Sequence, residues 1–206
     1  MDLVQPRPIT RRTLAHGAAW SVPALMVAAA APAFAASAPP GLQGWVKISK
    51  SCTGTGSRRT FSYVVDGDGD GTRYPTGIGY GLYVLNTAST TGVCCASITY
   101  YLPSTLTGVT WTRQGAFQGW STPIADASAP AMAGMTGYTT TYSDTYGWTF
   151  TPASATVSAF TIANGVPTFT ATTSVTTYCG STMTVAAYRS VKVNNVTIAF
   201  SRTTQL

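Results

Sequence analysis

Threonine takes 34 of the 171 positions from residue 36 onward, with many tyrosines and valines among them. Side chains branched at Cβ, or aromatic, lose rotamer freedom in a helix and suit a half-exposed pleated surface. Here they fall in short segments where apolar and polar residues alternate, most clearly Phe61, Tyr63, Val65 and Val196, Ile198, Phe200. A period of two marks a strand with one buried face. The spacing predicts strands at 45–51, 60–65, 81–86, 97–102, 109–113, 138–142, 147–151, 156–162, 168–178, 184–190 and 191–201, separated by turn residues. Val193-Asn194-Asn195-Val196 reads as a hairpin, because asparagine tolerates the positive φ such a turn demands. No helical period runs for ten residues after residue 35. The expectation is an all-β chain, an immunoglobulin-like, Greek-key β-sandwich over residues 45–206.

The first 35 residues are of another kind. Arg7, Arg11 and Arg12 precede an apolar, alanine-rich run, and Ala33 and Ala35 supply the small residues a signal peptidase accepts. Thr10-Arg11-Arg12-Thr13-Leu14 resembles the bacterial twin-arginine export signal, with Ala15 and His16 departing from its last two positions. The resemblance implies folding in the cytoplasm, export, and disulfide formation outside. It covers the signal alone and carries no implication for residues 36–206. The expected organisation is a cleaved signal at 1–35, a small-residue linker at 36–44 and the sandwich at 45–206. The apolar run is short for a membrane span of about 20 residues and contains Pro23. A membrane is therefore expected as a partner only if the signal stays attached. Otherwise the protein is extracellular or associated with the cell wall.

Beyond residue 35, nine basic side chains face five aspartates, a formal net charge of +4. Arg58-Arg59 is the only basic pair, too little for the stripe that nucleic-acid binding needs. The one histidine, His16, lies in the signal, and the chain has no glutamate. Ser-His-Asp and Cys-His catalysis, histidine-ligated zinc and glutamate acid/base pairs are thereby excluded from the exported part.

Four cysteines, Cys52, Cys94, Cys95 and Cys179, read as two structural disulfides in an oxidising compartment. A ring between neighbours 94 and 95 is strained. The expected pairing is Cys52 with Cys94 and Cys95 with Cys179, or the crossed alternative. On a strand, residues 94 and 95 would point to opposite faces.

One motif carries chemistry. Residues 66–71 read Asp-Gly-Asp-Gly-Asp-Gly, so that three carboxylates converge while the glycines allow the curl. Over six residues it resembles the opening of an EF-hand calcium loop. Asp66, Asp68, Asp70 and the Thr72 carbonyl are the candidate calcium ligands, although Gly77 stands where that pattern ends in glutamate. Calcium should raise the melting temperature, and Asp68→Ala should remove the rise. Identical melting curves in calcium and in chelator would eliminate the site.

Residues 114–137 form a long connection rich in Gly, Ala and Pro, either a flap covering one end of the sandwich or a contact surface. Trp111, Phe117 and Trp120 are the candidate ligand contacts. The first functional reading is a secreted or cell-surface, non-catalytic interaction module meeting an extracellular protein or glycan. The alternative is a carbohydrate-binding module stacking sugars on Trp111, Trp120, Tyr138, Tyr142 and Trp148. A hydrolase using Asp126 and Asp144, or a protease inhibitor, ranks below both.

Overall fold

The computed structural model describes residues 38–66 and 81–206. They contain thirteen strands and three short 3-10 turns, with no α-helix among the described residues. All strand pairings are antiparallel. The first sheet orders β1 (Gly41–Trp45), β4 (Gly81–Leu85), β10 (Phe160–Ala163) and β9 (Trp148–Thr151). The second orders β2 (Lys47–Thr53), β3 (Thr60–Asp66), β11 (Phe169–Thr173) and β6 (Thr110–Arg113). The third orders β13 (Val196–Gln205), β12 (Thr184–Val193), β5 (Val93–Pro103), β8 (Met135–Thr141) and β7 (Ile124–Ala125). A third sheet thus joins the two expected of an immunoglobulin-like sandwich.

The alternation of β3 places Phe61, Tyr63 and Val65 inside. They face the third sheet across an aromatic centre. There Trp111 stacks on Tyr100 at 5.6 Å between ring centroids and meets Phe169 and Tyr63 edge-on. Burying each large apolar side chain contributes about 1.5–3 kcal/mol, so this cluster is what holds the two sheets together. β4 is buried on both faces: Leu82 and Val84 join the main core, while Tyr83 packs on Phe160 beyond the sheet.

Threonine has a second use inside. Thr99 and Thr139 lie opposite one another on β5 and β8 with their hydroxyls 2.8 Å apart, and Thr87 and Thr161 pair at 2.9 Å. Paired hydroxyls let a polar residue lie against the core without an unsatisfied donor.

Three expectations are corrected. β1 begins at Gly41, inside the stretch read as a linker, because Gly41 to Trp45 pair residue by residue with β4. Strand 168–178 ends at Thr173, and strands 184–190 and 191–201 divide instead at the Asn194-Asn195 turn, whose φ values of 48° and 66° match the hairpin reading. Of the Val196–Ile198–Phe200 row only Ile198 packs against the core: β13 is an edge strand, with Val196 64% and Phe200 36% exposed.

Candidate functional site

The alternation of β12 puts Val185, Ala187, Arg189, Val191 and Val193 on one face, and four of these five are small or branched apolar residues. Arg189 shares that inward row and is only 6% exposed. Across the ladder it lies opposite Ile98 of β5 and Phe200 of β13, and its guanidinium carbon sits 5.8 Å from the Phe200 ring centroid. Among the described residues, Nη1 of Arg189 has no hydrogen-bond partner, and neither has the buried hydroxyl of Tyr100.

Both groups line a cavity of about 190 Å³. Val46, Ile48 and Val185 form apolar walls, and Tyr63 closes the side of the second sheet. Exposed Arg202 of β13, from the same face as Arg189, stands at its edge. Gly44 of β1 is the residue that makes room: a Cβ there would lie 2.5 Å from Nε of Arg189 and 2.7 Å from its Cδ.

Among the described residues, the groups that act most on Arg189 are Tyr100, Arg202, Tyr63 and Tyr83, and none of these is a carboxylate. Loss of water lowers the pKa of Arg189, and Arg202 adds to the effect. Burial pushes the Tyr63 and Tyr100 hydroxyls above the usual phenol range, with the Arg189 charge opposing the shift. Both therefore stay protonated and able to donate. A buried cation without an acidic partner costs several kcal/mol, so a guanidinium that has none among the described residues and lies beside two neutral donors is arranged to receive an anion. A larger hollow of about 310 Å³ lies under residues 125–137. Two of its polar groups are already engaged: the Tyr101 hydroxyl donates to the Pro130 carbonyl, and the Asp126 carboxylate accepts from Ser128 and Thr139.

The aromatic candidates fall elsewhere. Trp111 and Trp120 are 9% and 1% exposed, and both belong to the core, as do Tyr138 and Tyr142. The indole N–H of Trp120 donates to the Gly165 carbonyl at 2.9 Å. They cannot be contact residues as they stand. Phe117 is exposed, with the Arg113 guanidinium over its ring at 4.6 Å and Tyr146 against it at 88°. Perpendicular rings offer no flat platform for a sugar.

Asp66 closes β3 opposite Lys47, while Asp68, Asp70 and Thr72 lie outside the described residues. Asp126 and Asp144 answer to different donors. Ser128 and Thr139 hold Asp126 and lower its pKa, whereas Asp144 accepts from the Cys95 backbone N–H and the Trp148 indole.

The disulfide pairing differs from both expected alternatives. Cys52 of β2 bonds to Cys179, in the turn Thr177–Cys179 ahead of β12, with their Cα atoms 5.6 Å apart. Lys50 donates to the carbonyls of Tyr178 and Ser181, which brings this segment against β2. Cys94 lies opposite Lys192, near the far end of β12 from Cys179. The eight steps from Thr184 to Lys192 span about 27 Å at the rise of a strand, far beyond the reach of a disulfide. Cys94 and Cys95 are free thiols.

Nor do these two point to opposite faces. A bulge shifts the register between Ser190 and Lys192, and Cys95 there takes a φ of 61°. The pair is drawn together. The Cys95 side chain hydrogen-bonds Cys94 and raises its pKa, with burial, the Cys95 charge and Asp144 adding and Lys192 opposing.

Sequence reasoning missed Arg189. The signal was present in the run Thr184–Val193, where a charged residue falls on the apolar phase of an otherwise regular strand. Comparison with protein-family models, curated proteins and solved structures finds no match.

Proposed function

We propose that this is a non-catalytic binding module working outside the cytoplasm, which grips an extracellular protein or glycan through a carboxylate seated in the Arg189 cavity. The observation that carries this reading is the buried guanidinium with no acidic neighbour among the described residues. A carboxylate there would meet Arg189 directly and could accept from Tyr100, a charge-assisted arrangement worth about twice a neutral hydrogen bond. The cavity's 190 Å³ suits an acidic tip with a short apolar neighbour, not a stacked sugar ring. An acidic glycan would therefore be held by its carboxylate. The export signal and the absence of histidine and glutamate beyond residue 35 support the location and the lack of chemistry.

The test is a thermal-shift series with acetate, butyrate, N-acetylalanine and glucuronate. At a hundredfold excess over Kd, a binder stabilises by about 2.7 kcal/mol. Arg189→Met should abolish that response. In the ligand-free protein the same substitution should be neutral or stabilising, by up to about 4 kcal/mol, because it removes an unpaired buried charge. A series that leaves the melting temperature flat, or a response that survives in Arg189→Met, would sink the reading.

A further inference from the structure

The free cysteines form a cluster that the disulfide framework does not use. The thiol sulfurs of Cys94 and Cys95 and a carboxylate oxygen of Asp144 all lie within 4.8 Å of one another. We propose that they bind one thiophilic divalent cation, of which Zn²⁺ is the type, through two thiolates and one carboxylate.

The local backbone brings this about. A residue other than glycine at positive φ is uncommon, and here it is Cys95 in the bulge opposite Val191 that adopts it, which places two consecutive side chains on one side of the strand. Asp144 opens the turn Asp144–Tyr146, and its Oδ2 accepts the Cys95 N–H at 3.0 Å while Oδ1 accepts the Trp148 indole N–H at 3.0 Å. The carboxylate is thus held by outer hydrogen bonds, as supporting groups orient a ligand at a metal centre.

Distances and charge agree. Zn–S bonds of about 2.3 Å and Zn–O bonds of about 2.0–2.2 Å put tetrahedral donors about 3.5–3.8 Å apart, within small side-chain rotations of the present arrangement. Binding would release two thiol protons to solvent, leaving two thiolates and one carboxylate. Lys192, opposite Cys94, offsets one of these negative charges and a divalent ion the other two. Cys95 and Asp144 are exposed, so the ion has a path in and a fourth position open to water.

The full chain, prepared without oxidant, is titrated with Co²⁺ as the spectroscopic probe. The expected result is one Co²⁺ per chain with thiolate-to-metal charge transfer, displaced by Zn²⁺, and lost in Cys94→Ser and in Cys95→Ser. Asp144→Asn and Trp148→Phe should each weaken Zn²⁺ by about tenfold or more. Trp148→Phe keeps a ring in place, so it reads the indole hydrogen bond even if a cysteine variant folds poorly. Absence of the charge-transfer band in the native chain would overturn the proposal. So would its persistence in Cys95→Ser, or a disulfide joining Cys94 to Cys95 in the protein as isolated.

Discussion

Replacing Cys52 and Cys179 together with serine should lower the free energy of unfolding by about 5 kcal/mol. The bond closes a sequence separation of 127 residues, most of the described chain, so it removes more freedom from the unfolded state than a local bridge would. A domain of this kind has about 5–15 kcal/mol in total, so a loss of this size takes a third of the stability or all of it. Cys94→Ser with Cys95→Ser should stay within about 0.5 kcal/mol, since in the metal-free protein neither thiol closes a loop. Denaturant unfolding of the two double variants beside the oxidised native chain makes the comparison. Equal losses in both would mean that the bonding pattern is not the one described. The slope of the transition should rise when the bond is gone, because the unfolded chain becomes less compact.

Trp120→Ala should cost about 4 kcal/mol. The ring is 1% exposed, packs on Tyr142 at 5.1 Å and ties the loop to Gly165 through its indole. Truncation therefore leaves a cavity and an unpaired carbonyl together. Gly165→Ala attacks the same joint from the other side. A Cβ at 165 would lie 1.7 Å from the Gln118 carbonyl oxygen, so the backbone of one segment has to move. Overpacking of this kind costs about 1–3 kcal/mol or more. Phe117→Ala supplies the control within the same loop, because Phe117 is 44% exposed and should change stability little. If Trp120→Ala and Phe117→Ala melt alike, the connection is not fastened to the core. The flap reading of 114–137 holds for Trp120 and fails for Phe117: one ring plugs the sandwich and the other lies over Tyr146 in the open.

How much of the fold is legible in the residues depends on how far each rule reaches. The Phe61-Tyr63-Val65 alternation and the Asn194-Asn195 turn obey constraints spanning two to four residues, so composition and spacing suffice. β1 was hidden because Gly41, Gln43 and Gly44 are poor strand formers, and only the pairing with β4, some forty residues later, makes them one. The cysteine rule failed at a single bulge. Strict alternation separates Cys94 from Cys95, and one left-handed residue undoes it.

The sequence by itself therefore determined an all-β chain, the phase of its best strands, one hairpin, and an inventory of residue types poor in catalytic groups. Those properties are local, set by the pleat and by which φ values a side chain tolerates. Only the tertiary structure decided that Cys52 meets Cys179, that Trp111 and Trp120 are core rather than contact, and that Arg189 is buried among tyrosines with no acid beside it among the described residues. Each of these depends on which strands lie side by side, at separations where loop closure and core packing, not local preference, set the energy.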